Sequence, residues 1–461
     1  MSVLAAFMVP HPPMIIPEIG KDSRDQIVST IKAYEKVAEE IASLKPETIL
    51  VFSPHSIMYS DYFHISPKKK ASGSFSRFGA SEIRFEEAYD SELVGRICDK
   101  ADEKGFPAGT LGERDPSLDH GTMVPLLLIR RRYKEGKIVR IGLSGLPLAD
   151  HYRLGMMIKE ACEELGRRVV CIASGDLSHK LQTYGPYGFS KEGPEYDQRI
   201  MDVCSRASFG ELFDFEEDFL DKAAECGHRS FTIMAGVFDG MQVKAKQYSH
   251  EDVTGVGYGI CSFYPQEEDE SRHFLKEYEE RILQGLKEKE ENADAYVKLA
   301  RKAVEHFVIH RKPLKLPKDC PEELLNRKAG TFVSIHKFGK LRGCIGTISA
   351  VRENIAEEII GNAVSACSRD PRFDPIRPEE LKYLDISVDV LGEIEDIDSK
   401  EELDVKRYGV IVSCGNRKGL LLPDLDGVDT AEEQIRIARE KGDIGPYEDY
   451  RLQRFEVVRH G

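Results

Sequence analysis

Val3-Leu4-Ala5-Ala6-Phe7-Met8-Val9-Pro10-His11-Pro12-Pro13 begins with seven apolar residues and ends in a histidine set between prolines. The apolar run, Val3–Val9, is of strand type. Three more runs share its character: Thr48–Phe52, Ile138–Leu143 and Val169–Ser174. Amphipathic helical patterns separate them. Arg24–Leu44 carries Ile27, Ile31, Tyr34, Val37, Ala38 and Ile41 on one face, and a second pattern runs from His151 to Leu165. Strands alternating with helices predict an α/β fold, a doubly wound, mostly parallel sheet with helices on both faces. Ser72–Phe78, with Gly73 and Gly79, reads as an inserted excursion or hairpin.

This plan extends to about Pro265. Gln266-Glu267-Glu268-Asp269-Glu270 then begins a charged stretch that ends in Lys287-Glu288-Lys289-Glu290-Glu291. Phe274, Tyr278, Ile282, Leu283 and Leu286 recur within it at helical spacing, so 266–292 is expected to be a charged helical connector. Beyond it, a helix over Ala293–Ile309 leads into mixed segments: Gly330–His336, Leu341–Ile348, Arg352–Cys367, Leu384–Leu391 and Gly409–Ser413. They suggest a separate α+β domain over 293–461. A chain of 461 residues is longer than one core usually organises, which agrees with this division.

Composition excludes several roles. The net charge of −15, from 65 basic and 80 acidic side chains, repels phosphate backbones, so nucleic acid is not an expected partner. No apolar run is long enough to span a bilayer, and Val3–Val9 lacks the flanks of a signal peptide, so no membrane association is expected. The 10 cysteines form no C-x-x-C pair, which fits reduced thiols in a cytoplasmic protein.

Three histidines follow predicted strands. His11 follows the first, His55 follows the second in Phe52-Ser53-Pro54-His55, and His179 follows a later one in Ser174-Gly175-Asp176-Leu177-Ser178-His179. Ligands of open parallel sheets bind beyond the carboxyl ends of strands, so the three are expected at one edge. His120, in Leu118-Asp119-His120-Gly121-Thr122, precedes a helical run. It reads either as an anion site at a helix N-terminus or as part of a capping segment led by Asp119 or Thr122. Two histidines and a carboxylate form the facial set of non-haem Fe(II) sites. Glu225, in Ala224-Glu225-Cys226-Gly227-His228-Arg229, is the candidate carboxylate, Cys226 the alternative ligand, and His228 and Arg229 candidate substrate contacts. Zn²⁺ or another divalent ion would also suit these donors.

At these residues the chain, from about Met1 to Pro265, resembles the class III extradiol ring-cleaving dioxygenases of the LigB type and the related Memo proteins. The resemblance implies Fe(II) on His11, His55 and a downstream glutamate, with His179 as acid/base. It also implies a small aromatic substrate that chelates the metal. Memo-type relatives place a cysteine near the third ligand, so Glu225 and Cys226 both stay open. Leu341-Arg342-Gly343-Cys344-Ile345-Gly346-Thr347, supported by Ser368-Arg369-Asp370-Pro371-Arg372-Phe373, resembles the AMMECR domain. The fusion fits the grouping called AmmeMemoRadiSam, which implies a radical-SAM protein as partner; a homo-oligomer is also expected. Within the motif, Arg342 beside Cys344 reads either as a reactive thiol with its activating arginine or as a tight turn with a paired, structural arginine.

Three functions are consistent with these readings. One is a non-haem Fe(II) extradiol-dioxygenase-like enzyme with His179 and His120 as catalytic groups. Another is an oxygen-independent metal hydrolase or lyase. The third is a non-enzymatic metal-binding protein that works with a radical-SAM partner.

Overall fold

The computed structural model describes residues 2–425 and 427–461, in two units that divide between Glu279 and Glu280. In the first, six strands share a sheet: β1 (Val3–Val9), β2 (Thr48–Ser53), β3 (Lys137–Gly142), β4 (Val169–Ser174), β5 (Met241–Glu251) and β6 (Tyr258–Glu268). Their order is β3-β2-β4-β1-β6-β5. The first four of that order are parallel, while β6 and β5 complete the edge antiparallel.

Successive residues of a strand point to opposite faces, so a strand apolar throughout must be covered twice. Ala6, Met8, Leu50 and Phe52 enter one core, and Ala5, Phe7, Ile49 and Val51 enter the other. Helices α1 (Val28–Leu44), α2 (Ser91–Glu103), α3 (His120–Arg130), α4 (Leu148–Leu165), α5 (Glu192–Arg206) and α6 (His228–Gly236) supply the cover. Buried side chains of α1 and α3 join the second core, and those of α2, α4, α5 and α6 the first. The sheet is doubly wound, as expected. The predicted excursion is a hairpin, Lys70–Phe75 paired with Ala80–Ala88, turned at Gly79 with φ of 80°.

β5 and β6 were not among the expected strands, and β6 runs past Pro265 to Glu268, into the stretch read as connector. The rest of that stretch is largely one helix, α7 (Phe274–Asn292), and the division between the units falls within it. Phe274 and Tyr278 pack on the first unit's core, Tyr278 stacking on Phe213 at 4.4 Å between centroids.

The second unit is α+β. Its strands are β7 (Thr331–Lys337), β8 (Lys340–Gly346), β9 (Leu384–Leu391), β10 (Glu395–Ile397), β11 (Tyr408–Cys414), β12 (Arg417–Leu421) and β13 (Arg451–His460). They are ordered β8-β7-β9-β13-β11-β12, with β10 on β13, and every pairing is antiparallel. Helices α8 (Ala295–His310) and α9 (Ile355–Ser368) bury Val304, Val308, Ile359 and Ala363 against Val333, Ile335 and Val388 of the sheet. Among the described residues no helix is long and apolar enough to cross a membrane.

Candidate metal centre

β4 lies between β2 and β1, so the loops leaving these three strands share one edge. His11 leaves β1 and His55 leaves β2, and their rings meet over the end of β4 with Nε2 atoms 3.0 Å apart. The Cys226 thiol is the third member, with Sγ 3.7 Å from His11 Nε2. The three ligand atoms lie within 4.8 Å of one another. Two nitrogens bound to one ion at about 2.0–2.1 Å each are separated by roughly 3 Å when nearly at right angles. The spacing and the donor chemistry therefore fit a transition metal.

The protein fixes the His11 ring through Ser174, the last residue of β4. Ser174 Oγ donates to the Gly121 carbonyl at 2.6 Å and lies 3.0 Å from His11 Nδ1. Its one proton is committed to that carbonyl, so Oγ accepts from Nδ1–H. Nε2 is then left with a lone pair aimed at His55 and Cys226, the tautomer a metal requires. The His11 main-chain N–H donates to Asp176 Oδ1 at 2.8 Å, which fixes the loop itself.

The imidazoles of the group stay neutral near pH 7. Burial, followed by repulsion from His55, lowers the His11 pKa to about 3. Burial, then His55 and His11, lowers His120 to about 3 as well, and burial also lowers His55 and His179. Protons therefore compete little with a metal for these nitrogens.

His120 joins the group. Asp119 caps α3, accepting from Thr122 N at 2.9 Å, so the capping role belongs to its neighbour and the His120 ring is free to stack on His55 at 3.9 Å. His179 is half-buried, its ring stacked on Tyr187 at 5.1 Å, and it feels the charges of Asp176 and His55. A cavity of about 1170 Å³ opens beside His55 and His120, walled by the 70–88 hairpin.

Other expected residues are placed elsewhere. Glu225, the candidate carboxylate ligand, is turned away from the histidines: its Oε2 accepts from the His228 N–H at 2.6 Å, at the start of α6. Unpaired N–H groups at a helix N-terminus attract a carboxylate, and that attraction decides its direction. Burial still raises its pKa to about 7. Cys226, one residue on, is carried toward His11 because the 175 and 227 backbones touch: a Cβ on Gly175 would lie 2.1 Å from the Gly227 Cα. His228 is no substrate contact; its ring is fully buried, with Nε2 3.0 Å from the Leu212 carbonyl oxygen. Arg229 pairs with Glu217 at 3.1 Å instead of facing the cavity.

In the second unit, Arg342 is the paired, structural arginine. It meets Glu380 at 3.0 Å through both Nε and Nη2, and donates to the Asp374 carbonyl at 2.8 Å. The half-exposed Cys344 has Ser334 Oγ 3.2 Å from its sulfur, and its N–H donates to Asp370, which Arg372 holds at 2.7 Å.

Sequence reasoning did not assign roles to Ser174, Asp176 or Arg140. The signals were present: a serine and an aspartate in the strand-end motif Ser174-Gly175-Asp176, and one charge inside the apolar run Ile138–Leu143.

Comparison with known proteins places both units. Residues 5–261 match the model of the catalytic LigB subunit of aromatic ring-opening dioxygenase, and residues 297–460 match AMMECR1. A protein of Clostridium acetobutylicum is 41% identical over all of this chain and 99% of its own length. The 2-aminophenol 1,6-dioxygenase beta subunit of a Pseudomonas species is 26% identical over 57% of this chain and 94% of its own. A solved structure from Pyrococcus horikoshii, 32% identical, covers 37% of this chain and 91% of its own, with a TM-score of 0.35. The chain belongs to the LigB family of aromatic ring-opening dioxygenase catalytic subunits, with an AMMECR1 domain following the LigB domain.

Proposed function

We propose that the first unit is a metal-dependent enzyme that opens or otherwise transforms a small chelating substrate, such as a dihydroxylated or amino-hydroxylated aromatic. The observation that carries this reading is the convergence of His11, His55 and Cys226, with His55 also lining a cavity. A bound metal would acidify a coordinated substrate hydroxyl. His179, half-buried near Asp176, is the group proposed to take that proton and return it. His120, neutral and stacked on His55, is proposed to orient the substrate by a hydrogen bond. Ser174 and Asp176 hold His11 in the ligating tautomer and position.

Cys226 favours a second reading of the chemistry. A thiolate in place of a carboxylate suits zinc or copper better than Fe(II), and zinc would serve as a Lewis acid without oxygen, as in a hydrolase or lyase. Iron-, zinc- and copper-loaded protein offered catechol and 2-aminophenol, in air and under anoxia, separates the two. Oxygen uptake matching ring opening, abolished in His179→Ala, supports the oxygenase. Turnover that persists without oxygen supports the second reading, and no turnover with any metal overturns both.

A further inference from the structure

The cavity beside His55 and His120 carries a charge arrangement that the metal group does not account for. Arg140, on β3, lines its floor, and its side chain is 1% exposed. Two of its nitrogens are satisfied: Nε donates to Ser66 Oγ at 2.8 Å and Nη1 to the Ser117 carbonyl at 2.5 Å. Nη2 is buried and makes no hydrogen bond. Two carboxylates form longer ion pairs with Arg140, Glu113 at 3.8 Å from Nη2 and Asp119 at 3.7 Å from Nη1, which balance its charge without giving Nη2 a hydrogen-bond acceptor. Leaving a buried guanidinium N–H without an acceptor is costly, and an acceptor that arrives with a ligand in the cavity would satisfy it.

The rest of the lining agrees. Arg77 and Arg84 face the cavity from the hairpin and are exposed. Among the described residues Arg77 makes no hydrogen bond or ion pair, and Arg84 gives only its Nε, to the Ser81 carbonyl. The acidic lining is already occupied. Glu86 pairs with Lys70 at 2.7 Å, Asp115 accepts from Ser117 N at 2.9 Å, and Asp119 accepts from Ser53 and Thr122. Arg140, with Nη2 unbonded, and Arg77 and Arg84, with most of their N–H groups unbonded, thus line the cavity, whereas the carboxylates of the lining are bound to protein donors.

We infer that the substrate is an organic anion, whose carboxylate or phosphate is received by Arg140, Arg77 and Arg84 while its other end faces His11, His55 and Cys226. Guanidinium groups match both anions through paired N–H bonds. The inference rests on the proposed function for its metal-facing end only; the anion site can be tested on metal-free protein.

Benzoate, phenyl phosphate and neutral phenol, titrated calorimetrically into metal-free and zinc-loaded full-length protein, provide the test. Either anion should bind at least about tenfold more tightly than phenol, the difference expected of one charge-assisted contact. The stronger of the two identifies the carboxylate or the phosphate as the natural group. Arg77→Gln combined with Arg84→Gln, both exposed, should remove most of that preference without disturbing the fold. Arg140→Lys should weaken the anion further, and because Arg140 is buried its variant is read only if its circular dichroism is native. Phenol binding as tightly as the anions, or a preference unchanged in the double variant, overturns the inference. Anion preference in a protein that binds no zinc would support the inference while removing the metal reading.

Discussion

In the first unit, parallel strands deliver their loops to one edge, and the ligand atoms of His11, His55 and Cys226 that meet there lie within 4.8 Å of one another. In the second, the antiparallel sheet sets charged residues beside partners that neutralise them: Arg342 on Glu380, Arg372 on Asp370. Both stretches look chemically active in sequence. The difference is whether the donors have partners already. His11 and His55 meet nitrogen to nitrogen at 3.0 Å, with Cys226 Sγ 3.7 Å and Asp176 Oδ2 4.0 Å from His11 Nε2, a donor set that would suit a cation. The guanidinium of Arg342 already has its carboxylate.

Removing a donor should therefore affect the two units differently. The largest effect is expected for His11→Ala, which should reduce metal affinity by at least about a hundredfold, measured as metal per chain after dialysis, with the second unit's unfolding unchanged. Cys226→Ser should also lose tight zinc binding. Glu225→Gln should retain it within about threefold, because the carboxylate serves the start of α6.

Which of those neighbours faces His11 was not legible in the sequence, and the reason is physical. Adjacent loop residues point in different directions, and here the choice depends on where the first N–H groups of α6 lie in space. The histidines were legible because strand ends are: Val3–Val9 and Thr48–Phe52 announced themselves by apolar continuity, and His11 and His55 follow directly. The alternation of strands and helices gave the doubly wound sheet, and Leu384–Leu391 was read to the residue. β5 was missed because its outward residues, Lys244, Lys246 and Gln247 among them, broke the apolar run on which the reading relied. Arg140 escaped notice because its partners come from distant loops.

The second unit should respond to loss of a pair rather than of a metal. Arg342→Ala leaves the Glu380 carboxylate, 12% exposed, with only Lys337 at 3.1 Å as its cation, and should destabilise this unit by about 2 kcal/mol in urea unfolding, with zinc binding unchanged. A smaller effect is expected for Ser174→Ala, which frees the His11 ring and should weaken metal binding by about tenfold without changing stoichiometry.

The mildest test uses pH. Hydrogen bonds from Arg372, opposed in part by burial, hold the Asp370 carboxyl down at about 2. A carboxyl depressed in the folded state contributes stability that is fully present above its unfolded value, about 4, and is lost as pH falls through the folded one. The second unit should weaken as pH falls from about 4 toward 2. Asp370→Asn should flatten that slope while lowering stability at pH 7; an unchanged slope would place the acid sensitivity elsewhere.

The central claim is that the metal sits on two imidazoles and a thiolate. X-ray absorption at the zinc edge of the loaded protein tests it most directly. The account predicts one sulfur at about 2.3 Å beside two imidazole nitrogens, lost in Cys226→Ser and kept in Glu225→Gln. A shell of nitrogen and oxygen alone, unaffected by Cys226→Ser, would contradict it.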